Sequence, residues 1–130
     1  MSVGLLIISH DGIGPALLGT SKLMLGDFSL KTKLLAASRD CDPSELASTA
    51  NELIQELDDN DGVLVLTDLY GSTPSNIAQK FMDKSNIRVV TGLNLSMLIR
   101  VFNYPKLDLN ELAEKAVSGG KDGIKLIMNQ

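Results

Sequence analysis

The sequence predicts an α/β domain, doubly wound around a mainly parallel sheet. Three observations carry this expectation. Residues 3–9 (VGLLIIS) and 63–67 (VLVLT) are near-continuous apolar runs, the form a strand takes when helices cover both its faces. Each run stops at a polar residue, His10 or Asp68, followed by turn-forming sequence. Segments with helical spacing alternate with the strands along the chain.

The first run ends at His10, Asp11, Gly12, Ile13 and Gly14, and Pro15 then suits the first turn of a helix. Residues 16–25 carry Leu17, Leu18, Leu23 and Met24 at helical spacing, and Gly26 can end the helix. Residues 30–37 read as a second strand. Asp42 caps a helix with Pro43 at its first position and Glu45 at its third, running to about Leu57. After the polar turn 58–62 comes strand 63–67, then the loop 69–73. Thr73 can cap, and Pro74 can open, a helix to about Lys84. Residues 87–91 form a fourth strand, and 94–103 a helix that Tyr104 and Pro105 break. Asp108 caps a last helix, with Glu111 at its third position, ending near Gly119 and Gly120. Residues 124–128 read as a short final strand.

The chain of 130 residues is the size of one domain, taken as 1–130, with no internal repeat or linker. A net charge of −4 and no cluster of Lys or Arg argue against nucleic acid or an anionic membrane as partner. Cys41 stands alone, so neither an intrachain disulfide nor a Cys-based metal site is expected. The apolar start lacks a basic flank and a cleavage site, and no apolar run approaches the ~20 residues that span a bilayer. The expected location is the cytoplasm.

In open α/β sheets, ligands sit beyond the carboxyl ends of the strands, at a switch in strand order. With order 2-1-3-4, strands one and three flank that switch, and His10 faces Asp68. An aspartate that accepts from Nδ1–H fixes the imidazole tautomer and leaves Nε2 with a lone pair for nucleophilic attack. Its carboxylate also offsets the positive charge the ring gains, the orienting logic of the hydrolase triads. Gly71, Ser72 and Thr73 lead into a helix start, where unpaired N–H groups and hydroxyls suit a phosphoryl group. No Gly-x-x-x-x-Gly-Lys-Ser/Thr run is present, which argues against a nucleotide site of that kind. Each feature alone has a plainer role: a strand-end histidine, a turn-capping aspartate, a common helix start. Their convergence on one sheet edge favours phosphoryl transfer.

The residues at that edge resemble a known family. Ser9 and His10 at the end of the first strand, residues 62–76 (GVLVLTDLYGSTPSN) and residues 91–98 (TGLNLSML) are similar to the IIA component of the mannose family of the bacterial phosphoenolpyruvate-dependent sugar phosphotransferase system. Residues 116–125 also resemble that family's ending. The resemblance covers nearly the whole chain. It implies a four-stranded parallel sheet with an added C-terminal antiparallel strand, exchanged between the subunits of a homodimer. It implies a phosphotransferase in which His10 takes a phosphoryl group from phospho-HPr and passes it to a IIB component. Asp68 matches the family's aspartate, and Ser72 and Thr73 its phosphate-facing loop. No metal or cofactor is implied, and contact with the membrane is indirect, through IIC and IID components. No IIB domain follows here, so the expected acceptor is a separate chain. Ser72 stands in place of the family's second Gly, Ser75 where Phe is common, and Asp11 adds a negative charge beside His10.

Three other readings differ in what they require. A regulatory module of the same family would carry the same His10 and move no sugar. A receiver domain phosphorylated on Asp68 needs an acidic pair after strand one and a late lysine, whereas Asp11 stands alone and Thr91 and Gly92 follow strand four. A flavin module needs aromatic platforms, and Tyr70 is the only ring near the loop.

Overall fold

Four parallel strands run in the order β2-β1-β3-β4 in the computed structural model, which describes residues 2–129. They are β1 (Gly4–His10), β2 (Thr32–Ala37), β3 (Val63–Thr67) and β4 (Ile87–Val90). Five helices join and cover them: α1 (Ile13–Leu25), α2 (Pro43–Leu57), α3 (Thr73–Gln79), α4 (Leu95–Phe102) and α5 (Leu109–Asp122). The doubly wound class and the order 2-1-3-4 are as expected.

Burial on both faces explains the apolar runs. Leu5 and Ile7 of β1 join Leu64 and Leu66 of β3 in a core with α4 and α5 and, from α1, Leu17 and Leu18. Leu6 and Ile8 point the other way, into a core with Val63, Val65, Ile54, Leu57 and Ile77 from β3, α2 and α3. Successive strand residues therefore feed opposite cores, and none has a solvent face that would favour a polar residue. Burying each such side chain contributes roughly 1.5–3 kcal/mol. β1 and β3 lie side by side at the centre, which brings their carboxyl ends together.

Local signals fixed three helix starts. The side chains of Asp42, Asn94 and Asp108 accept from the backbone N–H of Ser44, Met97 and Glu111. Four boundaries differ from expectation. Helix α1 begins at Ile13, after Gly12 at φ 83°, so Pro15 is its third residue, still among the N–H groups a helix leaves unpaired. Ser72, not Thr73, is the N-cap residue of α3. That helix stops at Gln79, because the next amides bond three residues back and bring Phe81 into the core. Helix α5 runs past Gly119 and Gly120 to Asp122. Both glycines are buried, and a Cβ on Gly119 would clash with the Arg100 side chain of α4. They permit close helix packing rather than ending the helix.

The C-terminal antiparallel strand does not form within the single chain. Residues 124–128 are exposed and pair with none of the four described strands. A strand exists only with a neighbour to take its ladder hydrogen bonds.

Candidate functional site

The site begins with strand register. His10 is the last residue of β1 and pairs with Ala37 of β2, while Ile8 pairs with Thr67 of β3. Asp68, one residue beyond β3, is thereby set beside His10. One carboxylate oxygen, Oδ2, accepts from the His10 backbone N–H at 2.9 Å and meets ring Nδ1 at 2.8 Å. A carboxylate only accepts, so Nδ1 carries the proton and Nε2 holds the lone pair in the neutral ring. The Asp68 side chain is 7% exposed and that of His10 45%. The acceptor is thus shielded behind the ring, and the ring faces solvent.

Ser9 holds the turn that follows. Its buried hydroxyl donates to the His10 carbonyl at 2.9 Å and accepts from Gly14 N–H at 2.9 Å. A Cβ on Gly14 would lie 2.8 Å from that hydroxyl, so the close approach of α1 to β1 requires glycine. Asp68 Oδ1 and Thr67 Oγ1 are buried with no hydrogen-bond partner among the described residues.

A cavity of about 410 Å³ opens in front of the ring, lined by His10, Asp11, Ala37, Ser38, Arg39 and Thr73. Of the three loop residues expected to face a phosphoryl group, Thr73 reaches it. Gly71 and Ser72 are engaged in their own turn. Gly71, at φ 84°, donates its N–H to Ser75 Oγ at 2.8 Å. The Ser72 hydroxyl donates to the Leu69 carbonyl, and Ser75 Oγ donates to the Ser72 carbonyl at 3.0 Å. Ser75 is fully buried and laces the loop together.

Sequence reasoning passed over the tasks of Ser9 and Ser75 and the place of Arg39 in the cavity lining. A serine closing an apolar strand, and another three residues after an N-cap, were the available signals for the first two. Arg39 had none until register placed β2 beside β1. Among the described residues no cluster of three or more His, Cys, Asp or Glu side chains is arranged to hold a metal. No described helix is long and apolar enough to cross a membrane.

Known proteins share this arrangement of chain. The family described as the PTS system fructose IIA component, EIIA-man, matches residues 4–117. The "PTS system mannose-specific EIIAB component" of Escherichia coli (strain K12) is 30% identical over 136 residues, covering 98% of this chain and 40% of that protein. The same figures hold for the component of that name from Shigella flexneri. The chain thus spans about two fifths of the length of these curated relatives, 40%. Among solved structures, the mannose/sorbose specific IIA subunit of the phosphotransferase system from Enterococcus faecalis aligns with a TM-score of 0.88 at 27% identity, covering 100% of this chain and 98% of that one. The PTS IIA protein associated with the fucose utilization operon of Streptococcus pneumoniae aligns with a TM-score of 0.75 at 26% identity, covering 91% and 93%. With a family match over nearly all of the sheet and its helices, the chain belongs to the EIIA-man family, the fructose IIA components of the phosphotransferase system.

Proposed function

We propose that this chain is a phosphocarrier of the sugar phosphotransferase system that accepts a phosphoryl group on His10 Nε2 from phospho-HPr and passes it to a IIB component. The observation that carries the reading is the 2.8 Å contact of Nδ1 with the shielded Asp68 carboxylate behind a half-exposed ring. In the first transfer, the Nε2 lone pair forms a bond to phosphorus. The bond from phosphorus to the donor imidazole breaks, and its electron pair stays on the donor nitrogen. The Nδ1 proton remains on the ring, held by Asp68, whose carboxylate offsets the positive charge as it grows. The second transfer reverses these roles toward the acceptor. Thr73, which lines the cavity, would meet the phosphoryl oxygens, while Gly71 and Ser72 shape the turn before it. The reaction requires positioning and charge, and the chain's own residues supply both.

Incubation with phosphoenolpyruvate, enzyme I and the matching HPr tests the reading by intact mass. The expected result is a gain of one phosphoryl group, acid-labile and base-stable, absent from His10→Ala. A label that survives in His10→Ala and disappears in Asp68→Ala overturns it.

The exposed tail belongs to the same reading. Residues 124–128 would complete the sheet of a second copy in a homodimer. Leu126 and Ile127 are 84% and 87% exposed, and the outer edge of β4 borders an open groove of about 430 Å³ that includes Val89, Val90, Ala113 and Val117. Apolar tail and apolar groove offer each other burial that one chain leaves unrealised. Removal of residues 124–130 is expected to halve the mass seen by light scattering, and an unchanged mass refutes the exchange. The carrier would work in the cytoplasm and reach the membrane only through IIC and IID components.

A further inference from the structure

The cavity in front of His10 contains one cationic side chain, Arg39. It follows β2 by two residues, and β2 ends at Ala37, the register partner of His10. The same cavity is lined by the Asp11 carboxylate, and a second carboxylate, Asp68, lies directly behind the ring. A phosphoryl group on Nε2 would add nearly two negative charges and three acceptor oxygens between them. Asp68 is matched by the positive charge that the ring gains, whereas Asp11 opposes the added negative charge. Arg39 is exposed and, among the described residues, forms no hydrogen bond or ion pair, not even with the adjacent Asp40 or with Asp11. Its guanidinium is therefore free to turn into the cavity, and its planar fork matches two phosphoryl oxygens at once.

We propose that Arg39 binds the phosphoryl group while it resides on His10, forming paired charge-assisted hydrogen bonds that exist only in the phosphorylated state. This inference rests on the phosphocarrier reading. It assigns this chain a phosphoryl-binding cation of its own, in addition to any that a docked partner brings. Arg39 would also counter Asp11, leaving the cavity close to neutral before the phosphoryl group arrives.

The discriminating measurement is the equilibrium constant for phosphoryl exchange with HPr, read by intact mass of both proteins. A contact made only by the phosphorylated product shifts that equilibrium when it is lost. A residue that merely helps partners dock changes forward and reverse rates alike and leaves the equilibrium where it was. Arg39→Gln is expected to shift the equilibrium toward phospho-HPr by about tenfold, the scale of a charge-assisted hydrogen bond at a solvent-open site. Arg39→Lys is expected to recover part of the shift, because it keeps the charge and loses the fork. An equilibrium unchanged in Arg39→Gln overturns the proposal, whether or not the rates fall. If the unsubstituted protein takes no phosphoryl group from its matching HPr, the phosphocarrier reading fails and the role of Arg39 fails with it.

Discussion

Replacing Asp68 by asparagine removes one charge and almost no volume. An amide oxygen can still accept from Nδ1, but it offers no counter-charge to a ring that becomes cationic. The contact of 2.8 Å fixes the geometry. With the ring charge centred about 4 Å from the carboxylate, two unit charges at an effective dielectric constant near 20 interact by about 4 kcal/mol. Water reaches the 45% exposed ring but hardly the 7% exposed carboxylate, so part of this is screened. A loss of about 3 kcal/mol in the transition state remains, roughly a hundredfold in rate. The amide NH₂ would also occupy the position of Oδ1, a buried atom with no described partner. Rapid-quench measurement of transfer from phospho-HPr gives the rate, and circular dichroism with thermal melting shows whether the fold persists. A folded Asp68→Asn protein that transfers within about threefold of the unsubstituted rate refutes the counter-charge argument.

Other consequences follow from neighbouring contacts. Ser75→Ala leaves Gly71 N–H without its acceptor, so a stability loss of about 1–2 kcal/mol is expected in urea, with slower transfer as the loop loosens. Equal midpoints would show that the lacing has no energetic role. Gly14→Ala forces a methyl group to 2.8 Å from Ser9 Oγ and 3.3 Å from Ile7 Cγ2, and about 1–3 kcal/mol of destabilisation should appear as a lower melting temperature. An unchanged melt would mean that α1 shifts freely. The Asp58 carboxyl is held below its ordinary value of 3.8, chiefly by the Asn86 side-chain hydrogen bond, which outweighs the opposing effect of burial, with smaller contributions from the backbone N–H groups of Gly62 and Asn60. Because its folded pKa is depressed, Asp58 adds stability above the unfolded value, and this is lost as pH falls through the folded one. Asp58→Ala should therefore melt lower than the unsubstituted protein at pH 6, with the gap narrowing below about pH 3.8. A gap of constant size from pH 6 to pH 2 would rule out an ionic origin.

The sheet was legible because β1 and β3 carry their burial in plain view: a strand covered on both faces has no reason to alternate. Capped helix starts were legible for a similar reason, since Asp42, Asn94 and Asp108 act on amides two or three residues away. Features that depend on a distant neighbour were not. Gly119 and Gly120 look like a helix stop, and their actual task is to let α5 press against α4. Residues 80–84 look helical until Phe81 finds its place in the core under α2 and α3. At the site, His10 and Asp68 announced themselves by ending apolar strands. The double hydrogen bond of Ser9, the lacing by Ser75 and the position of Arg39 came only with the fold, because serine and arginine are ordinary at many surface positions. The expected final strand is absent from the sheet of the single chain, where residues 124–128 pair with none of the four described strands.

The grip of one oxygen on both the backbone N–H and the ring of His10 has a kinetic consequence for a carrier. With Nδ1 held by the oxygen that also holds its own backbone N–H, the imidazole of such a carrier would keep one orientation between transfers. On the phosphocarrier reading, loading and unloading would then use the same port and the same angle of approach, and one docked partner would exclude the other. Turnover would alternate strictly, in ping-pong order, and each unphosphorylated partner would act as a competitive inhibitor of the other. The throughput of the relay would then be limited by how quickly the departing protein clears the port, which rewards weak, short-lived docking over tight binding.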